Sequence, residues 1–194
     1  MTDIAALKAA NAQRWSVMQT NPSLGATLDL VAGRLIAATA KTQYSIVSEQ
    51  TGVPWFVIAV IHERESSQSW KASLAQGDPW NAVSIHVPRG IGPFASWADA
   101  AVYALSECAP FASKWNDWSV GGTLTLLEEY NGLGYANMGV PSPYIWASTD
   151  QYKSGKYIAD GHYDPNAIDT QLGCAALISR MAVADKSVVL GVAS

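Results

Sequence analysis

One stretch limits what this chain can fold into more than any other: Pro54 to Trp70, PWFVIAVIHERESSQSW. Pro54 suits the first position of a helix, where its missing N–H would be unpaired anyway. From Trp55 to Ile61 every residue is apolar, so the helix has no solvent face and belongs in the core of a sizeable domain. His62, Glu63, Arg64 and Glu65 then follow in succession. Carboxylates at the end of a buried helix keep one side against low-dielectric protein, which disfavours their charged form and suits a general acid. The same letters also describe a solvated helix end, with Arg64 and its flanking carboxylates in ordinary surface pairs. Periodicity does not choose between the glutamates: Glu65 continues the stripe Ile58, Ile61, His62, while Glu63 continues Phe56, Ala59, Val60.

Helical spacing predicts further helices on both sides. Ile4, Leu7, Trp15 and Met18 mark one over 3–20 that stops before Asn21-Pro22, and Ser23 can cap a second one carrying Leu24, Leu28, Val31, Leu35 and Ile36. A short helix around 43–50 stops at Thr51-Gly52. Beyond Ser66 the periodicity fails and Gln76-Gly77-Asp78-Pro79 reads as a turn. VSIHV at 83–87 alternates in strand fashion before Pro88-Arg89-Gly90, which predicts a short hairpin. Ser96 and Asp99 form a capping box for a helix through Leu105. TLTLLEEYN, ending at Gly132, predicts a short buried helix. Residues 133–163 are rich in Gly, Pro, Ser and aromatics without periodicity, so they are expected to be a functional loop. Asp164 as cap and Pro165 as first residue predict a last helix to about Val183. No linker or repeat divides the chain, so residues 1–194 are expected to form one domain.

Composition narrows the function classes. A net charge of −4 and the absence of a Lys/Arg cluster argue against a nucleic-acid surface. No apolar stretch approaches the ~18 residues of a membrane span, and the N-terminus lacks the pattern of a signal peptide. The expectation is a cytoplasmic protein as synthesised, exported or released by a route not visible in the sequence, with no membrane partner and a monomeric state. Cys108 and Cys174 lie in apolar, helix-like surroundings and read as buried free thiols; no metal spacing is present, and no metal or other cofactor is expected. Eight Trp and eight Tyr stand beside three Phe. Most should be core, but those in 70–80 and 130–146 sit with Asn, Asp and Gly in the mixture a sugar-binding cleft uses.

RESS at 64–67 behind an apolar helix resembles the arginine–glutamate–serine segment of goose-type lysozymes, and Glu65-Ser66 resembles the glutamate–serine motif of soluble lytic transglycosylases. Glu129-Tyr130-Asn131-Gly132 resembles the alanine–tyrosine–asparagine motif of the latter, with glutamate in place of alanine. GIGPF at 90–94 falls where the family has a glycine–leucine–methionine–glutamine turn, and shares its glycine character alone. This likeness to the lysozyme-like superfamily covers roughly residues 50 to 135. With LAQGDPW, HVPRG, YNGLGY, PSPYIW, TDQY and GKY, the chain also resembles bacterial and phage lysozyme-like proteins of the endolysin kind.

The resemblance implies a mostly α (α+β), lysozyme-like fold: a helical bundle around a central buried helix, with a small β-hairpin lining a cleft. It implies a peptidoglycan-cleaving glycoside hydrolase, a muramidase acting on the β-1,4 MurNAc–GlcNAc bond, in which Glu65 protonates the leaving oxygen. Asp78 lies at a spacing similar to that of an aspartate in goose-type lysozymes and could position water, or it could merely cap its turn; Glu128 and Glu129 are alternatives. Tyr130 and Asn131 would hydrogen-bond the sugar or the acid. Ser66, His86, Tyr135, Tyr144 and Trp146 complete the expected substrate contacts, while His62 reads more simply as a core residue. Other readings are a lytic transglycosylase giving 1,6-anhydro products, a chitinase- or chitosanase-like enzyme, and a non-catalytic glycan-binding protein. No GxSxG elbow, phosphate loop or HExxH is present, so nucleophilic serine and metal hydrolysis have no support.

Overall fold

Side-chain caps fix where several helices begin. Asp3 Oδ1 accepts from the N–H groups of Ala5 and Ala6 at 3.0 and 3.1 Å and starts α1 (Ile4–Val17). Asn21, not Ser23 as expected, is the cap: its side chain accepts from Ser23 N and starts the 3-10 turn Pro22–Leu24 that leads into α2 (Gly25–Leu35). Next come α3 (Ala38–Thr51), ended by Gly52 in the left-handed conformation at φ 72°, and α4 (Trp55–Ser66), for which Pro54 is the cap rather than the first residue. Ser96 and Asp99 form the expected box at the start of α5 (Trp97–Glu107): Ser96 Oγ accepts from Asp99 N at 3.1 Å and donates to its carboxylate at 2.8 Å. Ser119 caps α6 (Val120–Asn131), and the short α7 (Gly134–Asn137) and α8 (Pro143–Trp146) follow. β1 (Lys156–Ala159) and β2 (His162–Asp164) pair antiparallel, with a register irregularity between Tyr157 and Ala159, and α9 (Cys174–Ala184) comes last.

This computed structural model describes residues 2–86, 88–159 and 161–191. Among them the protein is mostly helical with one small two-stranded antiparallel sheet. It divides into two compact units: residues 33–116 form one, and the two flanking segments, up to Ala32 and from Asp117, form the other.

In the continuous unit α3 packs on both α4 and α5. Phe56 to Ile61 of α4 are buried at 0–2% exposure, as their unbroken apolar run predicts; each such Val or Ile contributes about 1.5–3 kcal/mol on leaving water. In the discontinuous unit α1 lies against α6. Any Cβ at Gly121 would collide with the Lys8 carbonyl, and Asn11 donates to Thr125 Oγ1 at 3.2 Å and to Glu128 Oε2 at 3.3 Å. Gly173 fits against α8 and the residue that follows it, since a Cβ there would lie 2.5 Å from the carbonyl oxygens of Ile145 and Ala147.

Three expectations need correction. The segment 83–86 is not a strand, and Val87 lies outside the described residues; the hairpin is β1–β2 instead. The Asp78 carboxylate takes the N–H groups of Ile85 and His86 at 2.9 and 3.0 Å, so those donors are unavailable to a ladder. The last helix starts at Cys174, not Pro165, because Asp164 is committed to β2 and its Oδ1 turns the chain by accepting from Asn166 N at 2.8 Å. Residues 133–163 are not one loop. They hold α7, α8 and β1, and their aromatics are largely internal: Tyr135, Tyr157 and Tyr163 meet edge-on with centroids 5.2–6.2 Å apart.

Candidate active site at the end of the buried helix

The C-terminus of α4 is held in an uncommon backbone path. Ser67 and Gln68 both have positive φ, 52° and 59°, a region that non-glycine residues seldom adopt without support. The support is visible. The N–H groups of Ser67 and Gln68 donate to the Glu63 and His62 carbonyls at 2.8 and 3.1 Å, and Gln68 Nε2 donates to the Tyr44 hydroxyl at 3.0 Å and to the Arg34 carbonyl at 3.3 Å. Arg34 itself reaches back, donating from Nη1 to the Ser67 carbonyl at 3.2 Å.

Arg34 also separates the two glutamates. Its Nη2 meets Glu63 Oε2 at 2.6 Å, a charge-assisted contact that gives Glu63 a structural role. Burial raises the Glu63 carboxyl above its usual range, and Arg34 offsets part of that rise. Glu65 lies half-buried one residue before the helix end, and its backbone carbonyl stands 3.9 Å from where a Cβ on Gly77 would sit. The loop that carries Asp78 therefore packs on the same helix end. The Ser66 hydroxyl bonds back to the His62 carbonyl at 3.1 Å, as serines in helices often do.

His62 is core, at 0% exposure. Its Nε2 faces the Ser69 carbonyl at 3.0 Å, and a carbonyl can only accept, so Nε2 carries the proton and Nδ1 accepts from the Tyr44 hydroxyl at 3.0 Å. Trp70 and Trp97 pack against the imidazole at 4.7 and 4.6 Å between centroids. Burial lowers the His62 pKa from 6.5 to about 4. Between those two values the unfolded chain binds a proton that the folded protein excludes, so His62 costs stability as pH falls from 6.5 toward 4, in all about 3 kcal/mol. We expect the stability difference between the wild type and His62→Gln, read from urea midpoints, to shrink between pH 7 and pH 4.5. Parallel pH profiles for the two proteins would contradict this.

Asp78 is buried and its carboxylate is occupied. Besides the two backbone donors at Ile85 and His86, its Oδ1 meets His86 Nδ1 at 2.6 Å, and these hydrogen bonds hold the carboxyl below its usual range. The rest of the His86 ring is open, with the side chain 69% exposed. The loop is closed by Ser84 N donating to the Ile91 carbonyl at 2.9 Å and by Trp80 Nε1 donating to the Trp70 carbonyl at 2.8 Å.

The structure thus groups Glu65, Ser66, Asp78 and His86 in the continuous unit. The other expected residues belong to the discontinuous unit. Tyr130 is half-buried and Asn131 exposed at the end of α6, where Gly132 leaves the helix at φ 96°. Tyr135, Tyr144 and Trp146 are 6%, 3% and 1% exposed, so they pack in the core rather than present open stacking faces; the Tyr135 hydroxyl accepts from Tyr157 N at 3.0 Å. Glu128 is buried and Glu129 half-buried, and burial raises both carboxyls. Sequence reasoning missed Arg34, Tyr44 and Gln68, which brace the helix end; the first two lie 18–29 residues from their partners in α4, and no local pattern marks them.

Cys108 and Cys174 are both free thiols, but only Cys174 is buried as expected; Cys108 is half-buried. Among the described residues no three His, Cys, Asp or Glu side chains are grouped to hold a metal, and no single helix is long and apolar enough to cross a membrane. Comparisons with protein-family models, with curated proteins and with solved structures found no match.

Proposed function

We propose that the protein cleaves the β-1,4 MurNAc–GlcNAc bond of peptidoglycan by acid catalysis from Glu65, on a lysozyme-like fold. The place of Glu65 carries this reading: it is half-buried at the braced end of α4, against the loop that carries Asp78, while Glu63 serves the fold by meeting Arg34 at 2.6 Å. The braced turn at Ser67 and Gln68 supports it, because a general acid must be held at a fixed place relative to the leaving oxygen. The substrate is a polysaccharide, and no cofactor enters the chemistry.

The fate of the bond depends on a second group. An inverting hydrolase needs a carboxylate at roughly 6.5–9.5 Å from the acid to hold the attacking water, and Asp78 is the residue on the neighbouring loop. A second reading, a lytic transglycosylase closing the muramic 6-hydroxyl on the anomeric carbon, is favoured by one observation: three donors from Ile85 and His86 already occupy the Asp78 carboxylate. Mass analysis of digested peptidoglycan separates the outcomes. Muropeptides with free reducing ends are expected from the hydrolase, and dominant anhydro-muropeptides, lighter by one water, would assign the transglycosylase. Digestion of chitin or chitosan with peptidoglycan left intact would overturn both, and binding to glycan without cleavage would make the protein a lectin-like module.

A further inference from the structure

A second site is built into the discontinuous unit. One face of α1 (Leu7, Asn11 and Arg14, at helical spacing) joins α6 and the segment 136–146 around a cavity of about 410 Å³, within the size range of small-molecule sites. Glu128 stands in its wall, 2% exposed. Asn11 donates to Glu128 Oε2, and among the described residues Oε1 has no hydrogen-bond partner. Arg14 lines the same cavity, and its charge offsets part of the rise that burial imposes on the Glu128 carboxyl. The cavity therefore holds a carboxyl with a spare oxygen and a guanidinium of opposite charge in one wall. Leu7, Val140 and Trp146 give the remaining wall an apolar character. At the rim Thr2 Oγ1 donates to Asn137 Oδ1 at 2.6 Å and ties the start of α1 to the end of α7.

We infer that this cavity binds a small zwitterion, an amino acid or a dipeptide, with its carboxylate on Arg14, its ammonium on Glu128 and its carbon skeleton against Leu7 and Val140. A guanidinium pairs a carboxylate in a fork, and a carboxylate pairs an ammonium, so the two opposite charges of the site can read the two ends of one ligand. The inference does not rest on the cleavage reading, and Glu65→Gln should bind as the wild type does.

Calorimetric titration of the full-length protein with alanine and with alanyl-alanine tests it, using N-acetyl-alanine and alanine amide as ligands that lack one charge each. Saturable binding is expected with a Kd on the order of 1 mM. The blocked analogues, Arg14→Gln and Glu128→Gln should each weaken it at least about tenfold. Binding of alanine would identify a free amino acid, and binding of alanyl-alanine alone a dipeptide. Should Glu128→Gln fail to fold by circular dichroism, the half-exposed Arg14 and the blocked analogues still decide the matter. No saturable binding up to about 50 mM, or binding that the blocked analogues and Arg14→Gln retain, would overturn the inference.

Discussion

Glu65→Gln should reduce peptidoglycan cleavage by about 10²–10⁴-fold, the usual contribution of a positioned general acid, while the protein stays folded. Gln keeps the length and shape of the side chain but has no proton to give to the leaving oxygen. Glu65 is half-buried at a helix end whose turn is fixed by Arg34 and Gln68, so an amide there should not disturb the core. Glu63→Gln is the control. It removes the charge that Arg34 meets at 2.6 Å, so it should lower stability modestly and leave most of the activity. Turnover of purified sacculi by the two variants, with urea midpoints for each, decides the assignment. An active Glu65→Gln beside an inactive Glu63→Gln would move the acid by two residues.

Trp146→Ala should destabilise the protein by about 3–5 kcal/mol, the range for emptying a buried tryptophan site. The indole is 1% exposed, in a unit where α8 packs against both α6 and α9, and truncation leaves a void that packed neighbours only partly fill. This reverses the expectation drawn from composition, under which the aromatics of 133–163 would serve ligand more than fold. Urea denaturation at neutral pH measures the loss. A variant with stability within about 1 kcal/mol of the wild type but weakened glycan binding would restore the stacking role.

Legibility followed how local the determining interaction is. α4 could be read directly because seven successive apolar residues behind a proline leave no other packing solution, and Ser96 with Asp99 carries its capping geometry within four residues. VSIHV misled because its alternation is genuine, yet a buried aspartate several residues earlier claims its backbone donors. Asp164-Pro165 has the letters of a helix start, but pairing with Lys156 takes the aspartate into β2. At the site, Glu65 stood out by its neighbours in sequence, whereas the arginine that pairs with Glu63 lies 29 residues away, at Arg34.

The division of the chain also dictates an order of assembly during synthesis. The discontinuous unit is made from both ends of the sequence, and its central contact joins Asn11 to Thr125, 114 residues later. At ribosomal speeds of roughly 5–20 residues per second, α1 emerges several seconds before its partner exists, with its α6-facing side uncovered. Residues 33–116 meet no such delay, since α3, α4 and α5 follow one another and pack with near neighbours. The nascent chain is therefore expected to acquire protease resistance around Glu65 first, and around α1 only once α6 has left the exit tunnel.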